Sequence, residues 1–338
     1  MKQAEGLRLE KVRCAEAHAA QDVDPAGTAP HWDAVLAIEV SSPWPRDISA
    51  CEPFASLLGD GAATIAGPDG RTWRPQGLVC ERSREWTRVI AFERNGTSAG
   101  PFDRREWLLP SEDGEALADL ARALVDGDSR ALHGHDQWRD DPEEGTVDLL
   151  LCTHGTRDVC CGGPGTALHD AVRDALGGAD TVGPNGRRRI WRTSHAGGHR
   201  FAPTALSFPH GVSWAHLDRQ SCVDIMDRRG DSTSLGTHMR GSVSVDAAAA
   251  QVADREGFSA FGWDWLDGDR TPVLVSHDRL TLQSTVDVLA NSVADGVDMA
   301  VSVDVAMQRH IAMPTCGAVE GPEYKSEPVW GVLETRVG

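Results

Sequence analysis

The sequence has no run of roughly 18 consecutive apolar residues, the length a membrane-crossing helix needs. Its longest stretch without a charged side chain, 201–217, is interrupted by Pro203, Pro209, His210 and His216. The first twenty residues lack the unbroken apolar segment of a secretory signal, because Lys, Glu and Arg punctuate them. Positive charge is also in short supply. The 33 Lys and Arg face 51 Asp and Glu, and a formal charge of −18 argues against binding nucleic acid or anionic membrane through the bulk field. Repeats of solenoid length and low-complexity blocks are missing as well. Tyrosine occurs once, against eleven tryptophans that read mostly as core residues. The expectation is a soluble cytoplasmic protein. Its 338 residues, 40% of them hydrophobic, suffice for two or three domains of about 100–200 residues each.

In a reducing compartment the eight cysteines read as metal ligands, redox groups or buried small side chains rather than as disulfides. Cys14, Cys51, Cys80, Cys222 and Cys316 are scattered singly and read as buried small hydrophobes. The other three sit together in Cys152-Thr-His-Gly-Thr-Arg-Asp-Val-Cys160-Cys161-Gly-Gly. Downstream, Ser194-His195-Ala-Gly-Gly-His199-Arg200 supplies two histidines.

Apolar patterning places these segments in an α/β context. Strands are expected at 32–40 and 86–92, and a helix at 114–126 where Leu117, Leu120, Ala121 and Leu124 recur at helical spacing. The acidic, proline-bearing stretch 135–144 reads as a linker. Beyond it, a buried-type strand at 146–151 leads to a helix at 166–176 behind Gly-Pro-Gly, then to strands at 188–192 and 212–217 and a short helix near 222–227. Strands alternating with short helices indicate a small α/β domain. An alanine-rich helix at 245–256 and strands at 273–276, 299–307 and 329–335 follow.

Both the cysteine group and the histidine pair fall directly after expected strands, where loops present functional side chains. Two thiolates and two imidazoles meeting there would suit zinc, iron or an iron–sulfur cluster. Named alternatives fail on spacing. A Rieske signature needs a histidine three residues after its second cysteine, but positions 163 and 164 are glycine and proline. A phosphatase loop needs arginine six residues after the cysteine, and positions 158 and 167 are aspartate and alanine. No Cys-x-x-Cys pair occurs, and the glycines match neither a phosphate loop nor a dinucleotide fingerprint. The two glycines between His195 and His199 argue for a loop rather than a helix.

The strand ending in Cys152, HGTRD at 154–158, Cys161 with its glycine and SHAGGHRFAPTALSFPHGVSW at 194–214 resemble the sucrase/ferredoxin-like family of thioredoxin-like [2Fe–2S] proteins. GTAPHW at 27–32 and PWP at 43–45 resemble its amino-terminal region, so the likeness spans about residues 14 to 220. It implies a [2Fe–2S] cluster held by Cys152, Cys161, His195 and His199, with Cys160 at a position that is not a ligand. It also implies an α/β architecture. The thioredoxin-like [2Fe–2S] domain is expected at 145–240, and the patterning adds an expected amino-terminal α/β domain at 1–134, the linker at 135–144 and a carboxyl-terminal α+β region of unassigned role at 241–338.

Charge fits this expectation. Residues 145–220 carry eight basic and six acidic side chains, so the window is +2 while the rest of the chain is −20. Arg157, Asp158, Gly162, Gly197, Gly198 and Arg200 are expected to surround the cluster, and His154 to be structural or adjacent to it. Gly162–Gly165 either aims backbone N–H groups at the cluster or makes a tight turn. The Arg187–Arg189 run reads as a solvated edge, or else as a docking place for an acidic redox partner. Imidazole ligands raise the reduction potential above that of an all-cysteine cluster, and can take up a proton with the electron. The expected role is proton-coupled one-electron transfer with a partner reductase or acceptor protein, without substrate chemistry. Two alternatives stand: a structural zinc site with the same ligands, and a thiol oxidoreductase using Cys160 and Cys161 or Cys152.

Overall fold

The structure, a computed structural model of the chain, describes residues 14–57, 64–79, 85–94, 96, 98–293, 296–314 and 324–338. Helix α1 (Cys14–Ala19) precedes β1 (Ala34–Glu39), a strand buried at every position. Such a strand needs neighbours on both edges and cover on both faces, and β1 has them. After α2 (Phe54–Leu57) and the short β2 (Ile65–Ala66), β3 (Thr72–Leu78) pairs with β1 in parallel. On the other side β4 (Trp86–Arg94) pairs antiparallel, followed by β5 (Phe102–Pro110). Helix α3 (Gly114–Asp126) has the expected bounds because both ends are capped. Asp113 accepts from the Ala116 N–H, and Gly127 closes the helix in the left-handed region at φ 66°. A short α4 (Ser129–His133) follows.

The stretch 135–144, expected as a linker, is hydrogen-bonded along β5. Asp140 N–H donates to Glu106 O, Asp141 accepts from Glu106 N–H, and Arg139 lies over the Trp107 ring at 4.4 Å. Then come β6 (Val147–Cys152), α5 (Val159–Leu176), β7 (Asp180–Gly183), β8 (Gly186–Thr193), β9 (Ala205–Phe208), β10 (Val212–Trp214), α6 (Arg219–Met226), α7 (Ser232–Gly236) and β11 (Met239–Ser242). Strands from both halves form one mixed sheet in the order β11-β10-β9-β6-β8-β3-β1-β4-β5, with β2 beside β3 and β7 beside β8.

Among the described residues the sheet runs from one half to the other through a narrow seam, where Leu78 of β3 pairs with Thr193 of β8. From there the sheet curls over, so that the two halves face each other across a shared core containing Val35, Ile90, Phe92, Leu150, Cys152, Cys161, Leu206 and Phe208. Phe92 of β4 stacks on Phe208 of β9 with centroids 3.9 Å apart, and Phe102 N–H donates to Pro209 O. Arg189 reaches from β8 to Glu106 on β5 and to Asp148 on β6. The Arg187–Arg189 run is therefore not the expected solvated edge. Arg187 pairs with Asp180, Arg188 with Asp227, and Arg189 is only 3% exposed.

Beyond β11, α8 (Ala248–Phe261) and α9 (Trp263–Asp267) lead into an antiparallel sheet of β12 (Arg270–Asp278), β13 (Gln283–Asn291), β14 (Asp298–Pro314) and β15 (Tyr324–Val337). Along β13, Ser284, Val286, Val288 and Ala290 are buried in alternation with more exposed residues, the period-two pattern of a half-covered strand. Val286, Val288 and Ala290 join Val252, Ala253 and Phe258 of α8 in a core that also includes Trp214 and Leu149 of the first sheet. Asp254 of α8 is buried with Arg270, whose Nε donates to it at 2.8 Å. Among the described residues no helix is long and apolar enough to cross a membrane.

Burial holds the pKa of several histidines below its ordinary value, which makes stability sensitive to acid. His18 is 1% exposed and packs edge-on to Phe201 with centroids 4.4 Å apart. Burial, with Arg200 and His216 nearby, lowers its pKa to about 4. Burial also lowers His210 and His216. The folded pKa lies below the unfolded value near 6.5, so this contribution is complete above about pH 6.5 and is lost as pH falls toward 4. For His18 alone the loss is about 2–3 kcal/mol. Urea midpoints measured between pH 7.5 and 4.5 should fall steeply for the wild type and less steeply for His18→Phe; parallel slopes would rule out His18 as a source.

Candidate metal centre

The site is assembled where the sheet's halves meet. Cys152 ends β6, and the chain turns through 153–158 into α5, whose first turn carries Cys160 and Cys161. The helix begins seven residues before the expected start at 166, so Gly162–Gly165 lies within its first two turns and is not a loop. These glycines allow close packing. A Cβ on Gly165 would lie 2.2 Å from the Cys152 carbonyl oxygen, and one on Gly162 would lie 2.6 Å from Gly155 Cα. Only bare backbone lets the helix start press on the end of β6 and bring Cys161 to Cys152.

The histidine loop leaves β8 at the seam and is tied there. The Ser194 side chain accepts from Gly77 N–H at 2.9 Å, and Gln76 donates to Ser194 O at 2.7 Å. His195 N–H donates to His154 Nδ1 at 3.1 Å, while His154 Nε2 donates to Pro45 O at 2.8 Å. His154 is thus a strut between the Pro-Trp-Pro turn and the loop, which fixes its tautomer. Gly197 and Gly198 adopt φ of 85° and 72°, and a 3-10 turn follows at His199–Phe201. Beneath them Arg240, 3% exposed, donates to Gly197 O, to Ser213 Oγ and to Thr28 O. A Cβ on Gly198 would meet its guanidinium at 2.4 Å.

Cys152 and Cys161, both fully buried, belong to one apolar cluster that also takes in Ala196 of the histidine loop. Asp158, at the start of α5, places one carboxylate oxygen 3.1 Å from His195 Nδ1 and the other 3.4 Å from His199 Nδ1. The first of these contacts is close but poorly aligned for a hydrogen bond. The imidazole centroids are 6.0 Å apart. The cysteines are sealed inside, whereas the His199 side chain is 30% exposed and offers an edge to solvent.

Electrostatics follows from these contacts. The two thiols influence each other: Cys161, with His195 adding to it, lowers the Cys152 pKa against the effect of burial, and Cys152 together with burial pushes the Cys161 thiol up. The amino-terminal end of α5 adds positive potential beside both. Burial would raise the Asp158 pKa, but the contacts with His195 and His199 outweigh it and hold the carboxyl below its ordinary range. Burial likewise opposes charge on His195, yet Asp158 and Cys152 raise it on balance. His199 is lowered, since burial prevails over Asp158 there.

Other expected residues lie at the margin. Arg157 donates to Arg46 O at 3.3 Å and faces a cavity of about 260 Å³ that it shares with Trp32, Arg74, His154 and His195. Arg200 is engaged by Glu327 of β15 at 2.7 Å. Cys14 is buried, as expected, but it is also part of this neighbourhood, with Sγ 2.9 Å from His199 Nδ1. Cys222 is buried and Cys51 half-buried, while Cys80 and Cys316 fall outside the described residues. Arg240 and Asp158 show how charge is placed around the loop; of the two, only Asp158 lay within a readable motif. A separate cavity of about 620 Å³, lined by Asp24, His216, Arg255 and Glu256 among others, includes none of the four expected ligands.

Among the described residues no group of three or more His, Cys, Asp or Glu side chains is already spaced to hold a metal ion. In donor chemistry the residues fit a metal or cluster: two buried thiols, one of them favoured as thiolate, and two imidazoles whose Nδ1 atoms face one carboxylate.

This is a mixed α/β protein with a buried thiol–imidazole centre at a sheet seam. Residues 25–241 match the family model described as sucrase/ferredoxin-like, and the chain belongs to that family. Comparison with curated proteins gave no match, nor did comparison with solved structures.

Proposed function

We propose that the chain binds one [2Fe–2S] cluster through Cys152, Cys161, His195 and His199 and serves as a one-electron carrier. The observation that carries this reading is Asp158, at the start of the helix that carries Cys161, which faces both His195 and His199, while Cys161 and Cys152 lie in one buried cluster. A thioredoxin-like reading of this region is supported by strand order. β6 and β8 are parallel, β9 is antiparallel to β6, and the order β8-β6-β9-β10 is followed by α6.

When bound, the cluster would supply one electron-accepting centre, at a higher potential than four thiolates would give. The chain's own residues would do the rest. The two cysteines anchor it in an apolar interior. Asp158 faces Nδ1 of each ring, which leaves Nε2 as the nitrogen available for ligation and orients both imidazoles. Burial excludes water from the thiolates, and the exposed edge of His199 offers the route for an electron and for a proton. A cytoplasmic reductase or acceptor protein would dock there.

The test is iron and acid-labile sulfide content of anaerobically purified protein, with visible and reduced-state EPR spectra. About two irons and two sulfides per chain are expected. Cys152→Ser and His199→Ala should lose the iron and the EPR signal. One zinc with no visible absorption would replace this reading with a structural Cys₂His₂ site.

A further inference from the structure

Two thiols outside the proposed ligand set touch each other beside the site. Cys14 on α1 and Cys160 in the first turn of α5 bring their Sγ atoms to 3.6 Å although 146 positions separate them. Cys14 Sγ also contacts His199 Nδ1. The pair spans the edge of the family match, because Cys160 lies within residues 25–241 and Cys14 precedes them. Cys161, the sequence neighbour of Cys160, belongs instead to the buried cluster that contains Cys152.

The geometry points to a reversible disulfide between Cys14 and Cys160, formed on oxidation by hydrogen peroxide, which fastens α1 to α5 and draws Cys14 away from His199. A disulfide needs the sulfurs at about 2.05 Å, so the pair must close by roughly 1.5 Å, within reach of side-chain rotation and a small shift of the six-residue α1. A cavity of about 220 Å³ lined by Glu16, Cys160, Pro164, Ala202 and His216, among others, admits a small oxidant to Cys160. The Cys160 sulfur attacks the peroxide O–O bond, giving a sulfenic acid and one water. The Cys14 sulfur then displaces the sulfenic oxygen as a second water and forms the S–S bond. Both protons come from the thiols, and peroxide accepts the two electrons. Nothing in this step uses the cluster, so it stands whether or not the neighbouring site holds iron.

Full-length protein is treated with stoichiometric hydrogen peroxide in the presence of a chelator, alkylated under denaturing conditions, digested without reduction and mapped by mass spectrometry. The expected product is a cross-linked peptide pair joining Cys14 to Cys160, lighter by two hydrogen atoms, reversed by dithiothreitol and lost in Cys14→Ser and in Cys160→Ser. A bond from Cys160 to Cys161, a sulfinic acid on Cys160 with Cys14 still alkylated, or full alkylation of both would each overturn the proposal. Iron content of the same untreated sample reads the cluster assignment separately, so the two can fail independently.

Discussion

Glu106→Ala is expected to destabilise the protein by about 3–5 kcal/mol, the cost of removing one partner from a buried ion-pair network. Glu106 is fully buried on β5 and accepts from three guanidiniums, those of Arg88, Arg104 and Arg189. Arg189 binds it in bidentate fashion, with NH1 and NH2 donating at 3.1 and 3.0 Å, while its Nε donates to the fully buried Asp148 at 2.8 Å. Without Glu106, these three largely buried cations would keep, as ion-pair partners among the described residues, Asp148 and the half-exposed Asp140. The network also ties β5 to β6 and β8 across the curled sheet, so its loss loosens the core that contains Cys152 and Cys161. Urea denaturation at pH 7.5 measures the change. A companion variant, Glu106→Met with Arg189→Met, should recover part of the loss by removing a buried charge on each side. A single-variant shift under about 1 kcal/mol would mean that the network is not the clasp between the two halves.

That network explains why parts of the fold were hidden in the sequence. β1 and β4 show through because each carries a continuous apolar run of strand length, and α3 because it follows a helical period and carries its own caps. β5 reads as Phe-Asp-Arg-Arg-Glu-Trp, a charged segment with no apolar alternation, since its inward face holds Arg104 and Glu106 for partners more than forty positions away. β3 contains Pro75 and Gly77, both of which count against a strand locally. The start of α5 was obscured by Gly162, Gly163, Pro164 and Gly165, which locally resemble a turn; the tertiary contacts with Gly155 and Cys152 reveal why small residues are needed there. The cysteine and histidine motifs were legible because their ligand-type side chains are closely spaced within each block. Cys14 and Arg240 were not, for each reaches the site through a contact that only the folded chain makes.

Asp158→Asn is expected to speed release of bound iron by about 10–100-fold at pH 7, the usual penalty for losing a carboxylate that orients metal-bound histidines. Asparagine preserves size but gives up the charge facing Nδ1 of both His195 and His199. The wild-type carboxyl is held below its ordinary range, where the two histidine contacts overcome the opposing effect of burial. Its orienting charge is therefore present throughout neutral and mildly acidic conditions, and is lost only as pH falls through that depressed pKa. Release rates of wild type and variant should differ most near neutrality and converge at strongly acidic pH. The same substitution removes a negative charge that resists loss of an imidazole proton, so the pH at which the reduction potential begins to fall should move downward. Chelator-challenge kinetics followed in the visible band, with a potential measured at several pH values, read both effects. Equal release rates at pH 7 would show that Asp158 does not orient the imidazoles. An unchanged pH profile beside faster release would assign it to geometry alone and leave the proton with a different group.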